Sequence, residues 1–353
     1  MIDSLQSLRF IFAIMIFLHH YPVNGEGFFY AGGSCGVAFF MILSGFVMSA
    51  GYSEKVIQPN FQRKSYFLKR LIRLYPLHLL CLLGFISIHV LHYGILDYIK
   101  LLPNIFLIQS WIPVNSIYFS GNAVSWCLSD MLFFYAMFPI LINFLHSDKK
   151  KLKYWLYITI LFYLLFMILI PKSYCHALLY ISPVFRLVDF FIGMLTYKFY
   201  QKLVETKFAE RIKTFPFITK SIIEVVVILV LIIAIMIVPH IELRYYAAFL
   251  WWLVIPGLIV LFALFGKSGG VLSQLLNMKY LVFLGGFSFS FYMIHQLAII
   301  ILQAIFHKLN LEVMWQLEML VVFILVLFAS YLVYSYYEIP ITKYLKRKLL
   351  WAK

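Results

Sequence analysis

A few ionisable residues interrupt otherwise apolar stretches of this sequence, and these are the groups that could do chemistry. In the run from Leu8 to Tyr21, Arg9 stands near one end and the pair His19 and His20 near the other. Eleven positions separate Arg9 from His20, about 16 Å and close to three turns of helix, so the two share one face at different depths. One helix would thereby link an anion site at one end to a base at the other. A neutral imidazole can accept the proton of an attacking hydroxyl, an effect of roughly 10²–10⁴-fold on rate. His20 fits that role; His19 points about 100° away and reads as a packing or interfacial residue. The plainer alternative has Arg9 snorkelling to headgroups and both histidines at an interface.

Further along, Arg70 and Arg73, with Lys69 beside them, lie where a basic loop re-enters an apolar run. Guanidinium forks match phosphate oxygens bidentately, although ordinary loop charges would give the same composition. Asp130, at the start of another run, could orient the His20 imidazole and stabilise its protonated form, as carboxylates do beside catalytic histidines. A structural carboxylate held by backbone donors near a helix N-terminus is the alternative. Arg186 and Asp189 are spaced to pair along one helix face, either as a structural couple or as cavity lining. His295, with Tyr292 and Gln296 in reach, lines a site or bonds between helices; His78 and His89 carry no comparable pattern. A charge at mid-depth in a membrane costs roughly 2.5–3.5 kcal/mol on insertion scales, which makes each such residue a functional candidate.

The elements that must position these groups are membrane helices. Hydrophobic residues are 64% of the 353 and charged residues 12%, a balance no single water-soluble core accommodates. A span takes about 20 apolar residues, and ten runs are predicted: Leu8 to Tyr21, Gly36 to Ala50, Leu74 to Leu91, Val124 to Leu145, Tyr154 to Ile170, Leu178 to Tyr197, Ile222 to Val238, Ala247 to Phe265, Phe283 to Phe306 and Val313 to Tyr336. The stretch Tyr98 to Trp111, interrupted by Pro103, is too short to span and reads as interfacial or re-entrant. With ten spans and both termini cytosolic, the inner loops collect most of the Lys and Arg, among them Arg63, Lys64, Lys149 to Lys151, Lys207, Arg211 and Lys353. The outer loops receive only Lys100, Lys172, Arg244 and Lys308, as the positive-inside rule requires. The net charge of +15 is therefore topological rather than a nucleic-acid surface, since no soluble basic domain carries it. The first run reads as a retained helix and not a cleaved leader, and residues 1–353 as one all-α membrane bundle. Cys35, Cys81, Cys127 and Cys175 lack metal-ligand spacing; burial as small apolar residues is favoured over an outer-face disulfide.

Beyond these readings, an ordered set of motifs resembles the acyltransferase 3 family of membrane acyltransferases. The Arg-(ten residues)-His pair is Arg9 and His20. A glycine-rich segment follows at Gly36, Val37, Phe39, Phe40, Leu43, Ser44, Gly45 and Phe46, and a basic element at Arg70, Arg73, Tyr75 and Pro76. A Trp-Ser-Leu-Ser-like signature occupies Trp126, Leu128, Ser129, Phe134 and Tyr135, then come Gly285, Ser288, Tyr292 and His295, and finally Glu338 with Pro340. Two positions depart from the pattern: Gln6 replaces the usual Asp three residues before the Arg, and Met131 the usual Glu, with Asp130 one position earlier.

The resemblance implies an O-acyltransferase in a bacterial inner membrane. His20 and Asp130 would be catalytic, and Arg9, Arg70 and Arg73 would hold acyl-CoA, acetyl-CoA foremost. Trp126, Ser129, Arg186, Tyr292 and His295 would line the substrate site, with no metal. The acceptor implied is a hydroxyl of a surface polysaccharide or its lipid-linked precursor, with membrane lipids as the other partners. A transporter or flippase for a lipid-linked sugar would use the same intramembrane charges as a path.

Overall fold

The computed structural model describes residues 2–23, 26–89, 95–146, 149–247, 249–310 and 314–350. The expectations placed on Leu91, Val313 and Lys353 lie outside them, and so does the side chain of His89. Helix α1 spans Asp3–His20, α2 Tyr30–Val56, α3 Arg63–His89, the short α4 Ile95–Ile105, α5 Trp126–Leu145 and α6 Lys149–Leu169. They are followed by α7 Pro183–Val204, α8 Lys207–Lys213, α9 Phe217–Ile237 and α10 Phe249–Phe265. The chain closes with α11 Lys279–Gly286, α12 Ser288–Lys308, α13 Trp315–Val333 and α14 Ile339–Leu350. Among the described residues the only sheet is a two-residue pairing of Pro22–Val23 with Glu26–Gly27.

Among the described residues seven helices are long and apolar enough to cross a membrane, eight if the bent pair Lys172–Ile181 and Pro183–Val204, angled at 47°, counts as one span. Two of the ten expected runs are helical without passing that test. Helix α6 opens on Lys149, Lys150, Lys151 and Lys153, and among the described residues its apolar stretch, Tyr157–Leu169, is too short to pass. Helix α1 carries Asp3, Arg9, His19 and His20, yet Ser4, Ser7, Leu8, Phe12, Ile16 and Phe17 are all buried. It is enclosed by α2, α11 and α12, so its polar residues face protein instead of hydrocarbon, which is where such residues persist.

Long-range bonds group the helix ends. Ser4 donates to the Phe262 carbonyl at 2.9 Å, Lys267 pairs with Asp3 at 3.3 Å, Lys220 donates to Ser268 and Lys198 to Leu145. These bring the start of α1, the end of α10, the start of α9 and the ends of α7 and α5 to one basic end. At the opposite end the Tyr21 hydroxyl donates to Glu318 at 2.9 Å and Tyr30 bonds Tyr246.

Helix α2 is the axis of the bundle, and small residues let its neighbours approach it closely. A Cβ on Gly45 would strike the Phe190 carbonyl of α7, and one on Gly193 would strike the Ile42 carbonyl of α2. The two glycines thus form a reciprocal crossing at which backbone meets backbone. The segment after α3 is the amphipathic α4: Ile99, Leu102 and Ile105 are exposed while Leu101 and Asn104 are buried. The helix continues through Pro103 and ends at Ile105. The Asn104 carbonyl holds His78 Nε2 at 2.8 Å, and its amide donates to Ser120. His78 is therefore a strut between α3 and α4.

Gly45→Val drives a branched side chain into the α7 backbone, an overpacking that costs about 1–3 kcal/mol or more. Gly51 of the same helix has nothing within 4 Å of an added Cβ. The detergent-solubilised Gly45→Val protein is expected to melt several degrees below the parent, with Gly51→Ala unchanged or slightly more stable; equal melting of all three would contradict the crossing.

Candidate functional site

Two parallel helix faces build the site. On α1, Leu5 and Arg9 line a cavity of about 310 Å³, and His20 stands three turns further along. On α12, Phe289 and Tyr292 line the same cavity, and His295 follows at the next i+3 position, on the same face. The histidines meet at the far end of these stripes. His295 Nε2 is 3.0 Å from His20 Nδ1, and the two ring centroids are 5.0 Å apart.

The remaining ring contacts fix the tautomers, because a carbonyl oxygen can only accept. His295 Nδ1 lies 2.6 Å from the Tyr292 carbonyl and so carries a proton, leaving Nε2 of a neutral His295 as an acceptor. His20 Nδ1 faces that acceptor and also the Ile16 carbonyl at 3.0 Å. Both partners require a donor, so His20 Nδ1 is protonated and its Nε2 bears the free lone pair. His19 does not share this relay; its ring packs on Gly33, where an added Cβ would meet imidazole atoms.

At the basic end the cavity is lined by Arg9, Arg70 and Arg73 together, with Ser44, Tyr135 and Met131. Arg70 lies over the Tyr52 ring at 4.5 Å and near those of Tyr66 and Tyr135 at 5.7 and 5.8 Å. Aromatic faces hold a guanidinium without neutralising it. Among the described residues Arg9 makes only a long 3.5 Å contact, to the neutral Gln6 amide oxygen. Arg73 differs: it pairs at 2.5 Å with Glu338, a carboxylate only 2% exposed, which also accepts from Ser290. Glu338 closes a π-helical turn, Tyr334–Glu338, formed where Pro340 cannot supply its helical N–H. The three arginines expected to hold an anion therefore converge, two of them without a carboxylate partner among the described residues.

The other expected site residues divide. Tyr292 lines the cavity and gives its hydroxyl proton to the Val124 carbonyl at 2.8 Å. Trp126 is buried with its ring 5.4 Å from that of Tyr180. Ser129 accepts from Ser110 at 2.7 Å, fastening α5 to the turn at Gln109–Trp111. Neither Trp126 nor Ser129 is among the cavity-lining residues, whereas Cys127, Leu128 and Met131 are. Arg186 and Asp189, both fully buried, pair at 2.9 Å. Arg186 also donates to the Ala247 carbonyl, and Trp252 donates to Asp189, so the couple ties α7 to α10. Asp130 is fully buried; its carboxylate interacts with the Ser110 hydroxyl and, electrostatically, with Arg186 and Asp189. His20 Nδ1–H donates to His295 Nε2 and not to Asp130. All four cysteines are free and buried.

A family model described as an acyltransferase domain matches residues 2–335. The chain is similar to acyltransferase MdmB of Streptomyces mycarofaciens, 29% identical over 131 residues that cover 35% of this chain and 32% of that protein. It thus spans about a third of that relative's length. No solved structure matches.

The Arg73–Glu338 pair generates a test. Arg73→Ala strands a buried carboxylate, which costs on the order of 1–3 kcal/mol, so its melting temperature is expected to fall. Adding Glu338→Gln removes the stranded charge and is expected to restore most of the loss. Arg70→Ala, which strands no carboxylate, is expected to melt close to the parent. Equal destabilisation by Arg73→Ala with and without Glu338→Gln would contradict the pairing.

Proposed function

Because the chain belongs to the acyltransferase 3 family, we propose that it is a membrane acyltransferase that moves an acyl group from a CoA thioester to a hydroxyl with His20 as general base. The observation that carries this reading is the relay from the Tyr292 carbonyl through His295 to His20, which leaves His20 Nε2 as a lone-pair base. The acceptor oxygen attacks the thioester carbonyl while Nε2 takes its proton. The tetrahedral intermediate then expels the CoA thiolate, which recovers the proton from the imidazolium. The positive charge that develops on His20 strengthens its Nδ1–H bond to the neutral His295 acceptor. His295 thereby fills the orienting role that a carboxylate fills in serine-type triads.

The arginine end of the cavity suits the phosphates of the donor. Arg70 and Arg9 offer charge without a carboxylate partner, and the apolar wall of Leu5, Val37, Phe40 and Leu74 suits the pantetheine arm leading towards Tyr292. On this reading the basic end and both termini face the cytosol, where acyl-CoA is made. The hydroxyl then enters from the opposite side, where a surface glycan or its lipid-linked precursor is met. Acetyl is the acyl group we favour and a bacterial inner membrane the location. Asp130 serves by shaping the field around the Arg186 couple, a supporting role.

Transfer assays on reconstituted protein test the assignment. His20→Ala is expected to lose about 10²–10⁴-fold in kcat at unchanged donor KM, whereas His19→Ala keeps activity within a few-fold. His295→Ala is expected to lower kcat substantially with little change in donor KM, since it removes only the orienting acceptor. Full activity in His20→Ala, or equal loss in His19→Ala, would overturn the choice of base.

A further inference from the structure

A second hollow, well away from the arginines and histidines, lies on the flank where α7, α8, α9 and α10 meet. It has a volume of about 460 Å³ and is lined by residues such as Ile192, Leu203, Ile212, Val227, Gly257 and Leu261. The polar side chain in its wall, Thr196, spends its hydroxyl on the Ile192 carbonyl at 2.7 Å. Helix α9 beside it turns Ile222, Val225, Val226, Leu229 and Ile233 outward, so this flank faces hydrocarbon. The hollow is open at Gly257 because no side chain fills it: an added Cβ there would find nothing within 4 Å.

Its dimensions and its rim identify an occupant. From Ile192 to Leu203 along α7 is about 16 Å at 1.5 Å per residue, roughly half of the ~30 Å hydrocarbon core and so the depth of one leaflet. The mouth at Leu203 and Ile212 is covered by α8, which packs on α7 and α10. This helix buries Ala209 and exposes Lys207, Arg211 and Lys213, with exposed Lys202 just before it. Glu205 and Glu210 offset only part of that charge. An apolar slot one leaflet deep with a basic rim at headgroup level fits a phospholipid with an anionic headgroup, its acyl chain in the slot.

We propose that this hollow is a binding site for one anionic phospholipid, the acyl chain lying between α7 and α10 over Gly257 and the phosphate held by Lys207 and Arg211. A second copy of the chain would not call for a cationic rim at the mouth, and a zwitterionic lipid would gain less from it because its own ammonium offsets its phosphate.

Native mass spectrometry of the full chain, delipidated in detergent and titrated with phosphatidylglycerol or phosphatidylcholine of the same chains, tests the site. The parent is expected to prefer phosphatidylglycerol by roughly fivefold for each basic residue engaged. Gly257→Leu fills the slot without a clash and is expected to weaken both lipids at least tenfold at an unchanged melting temperature. Leu203→Trp, which blocks the mouth from α7, should do the same. Lys207→Ala with Arg211→Ala is expected to abolish the preference for phosphatidylglycerol, weakening its binding far more than that of phosphatidylcholine. Parent-like phosphatidylglycerol binding in both filled variants, or equal binding of the two lipids by the parent, would overturn the proposal. So would a change in subunit stoichiometry on filling the slot in place of lost lipid.

Discussion

A polar side chain inside a hydrocarbon layer has no water to fall back on, so every one of them must find a partner within the protein. The rest of this structure follows from that constraint. Helix α1 is too polar to face lipid and is therefore walled in by α2, α11 and α12, which makes it the interior helix on which both the arginine and the histidine of the site are mounted. The Arg186–Asp189 couple, the His78–Asn104 strut and the Ser110–Ser129 bond meet the same demand and consume the polar groups they use. Among the described residues, those at the site that stay incompletely partnered are informative: Arg9 and Arg70 without a carboxylate, and one nitrogen of His20.

Close approach is the second requirement, because fixed distances between helices are what place those groups. The Gly45 and Gly193 crossing sets α7 against α2, and α5, α7 and α10 are then joined by buried polar and aromatic contacts. Where a straight helix would misdirect a side chain, the chain widens a turn. The π-helical turn before Pro340 carries Glu338 to Arg73. A second one, His176–Ile181, precedes Pro183 and the bend into α7.

Much of this was legible in the sequence. The run lengths located the helices, the eleven-residue spacing placed Arg9 and His20 on one face, and the basic elements at Arg70 and Arg73 marked the end of the cavity. Hydropathy alone treats α1 poorly, since burial by neighbouring helices is invisible to it. The sequence also could not reveal which distant residues meet. His20 and His295 are joined across 275 positions, and Arg73 reaches Glu338 near the chain's end. Both partners stood in recognisable motifs, but a motif does not say whom its residue touches. Asp130 illustrates the cost of a single step on a helix: about 100° of rotation separates it from Met131, and it is Met131 that lines the cavity.

The central claim is that His20 is held as the Nδ1–H tautomer by His295 and Ile16, leaving Nε2 as the base. Nitrogen-15 solid-state NMR of the histidine-labelled protein in liposomes reads this directly, with the His20 signals identified by their loss in His20→Ala. The account predicts a protonated Nδ1 and a non-protonated Nε2 for His20 in the resting protein, and in His295→Ala a shifted Nδ1 resonance. A proton resident on His20 Nε2 would contradict it.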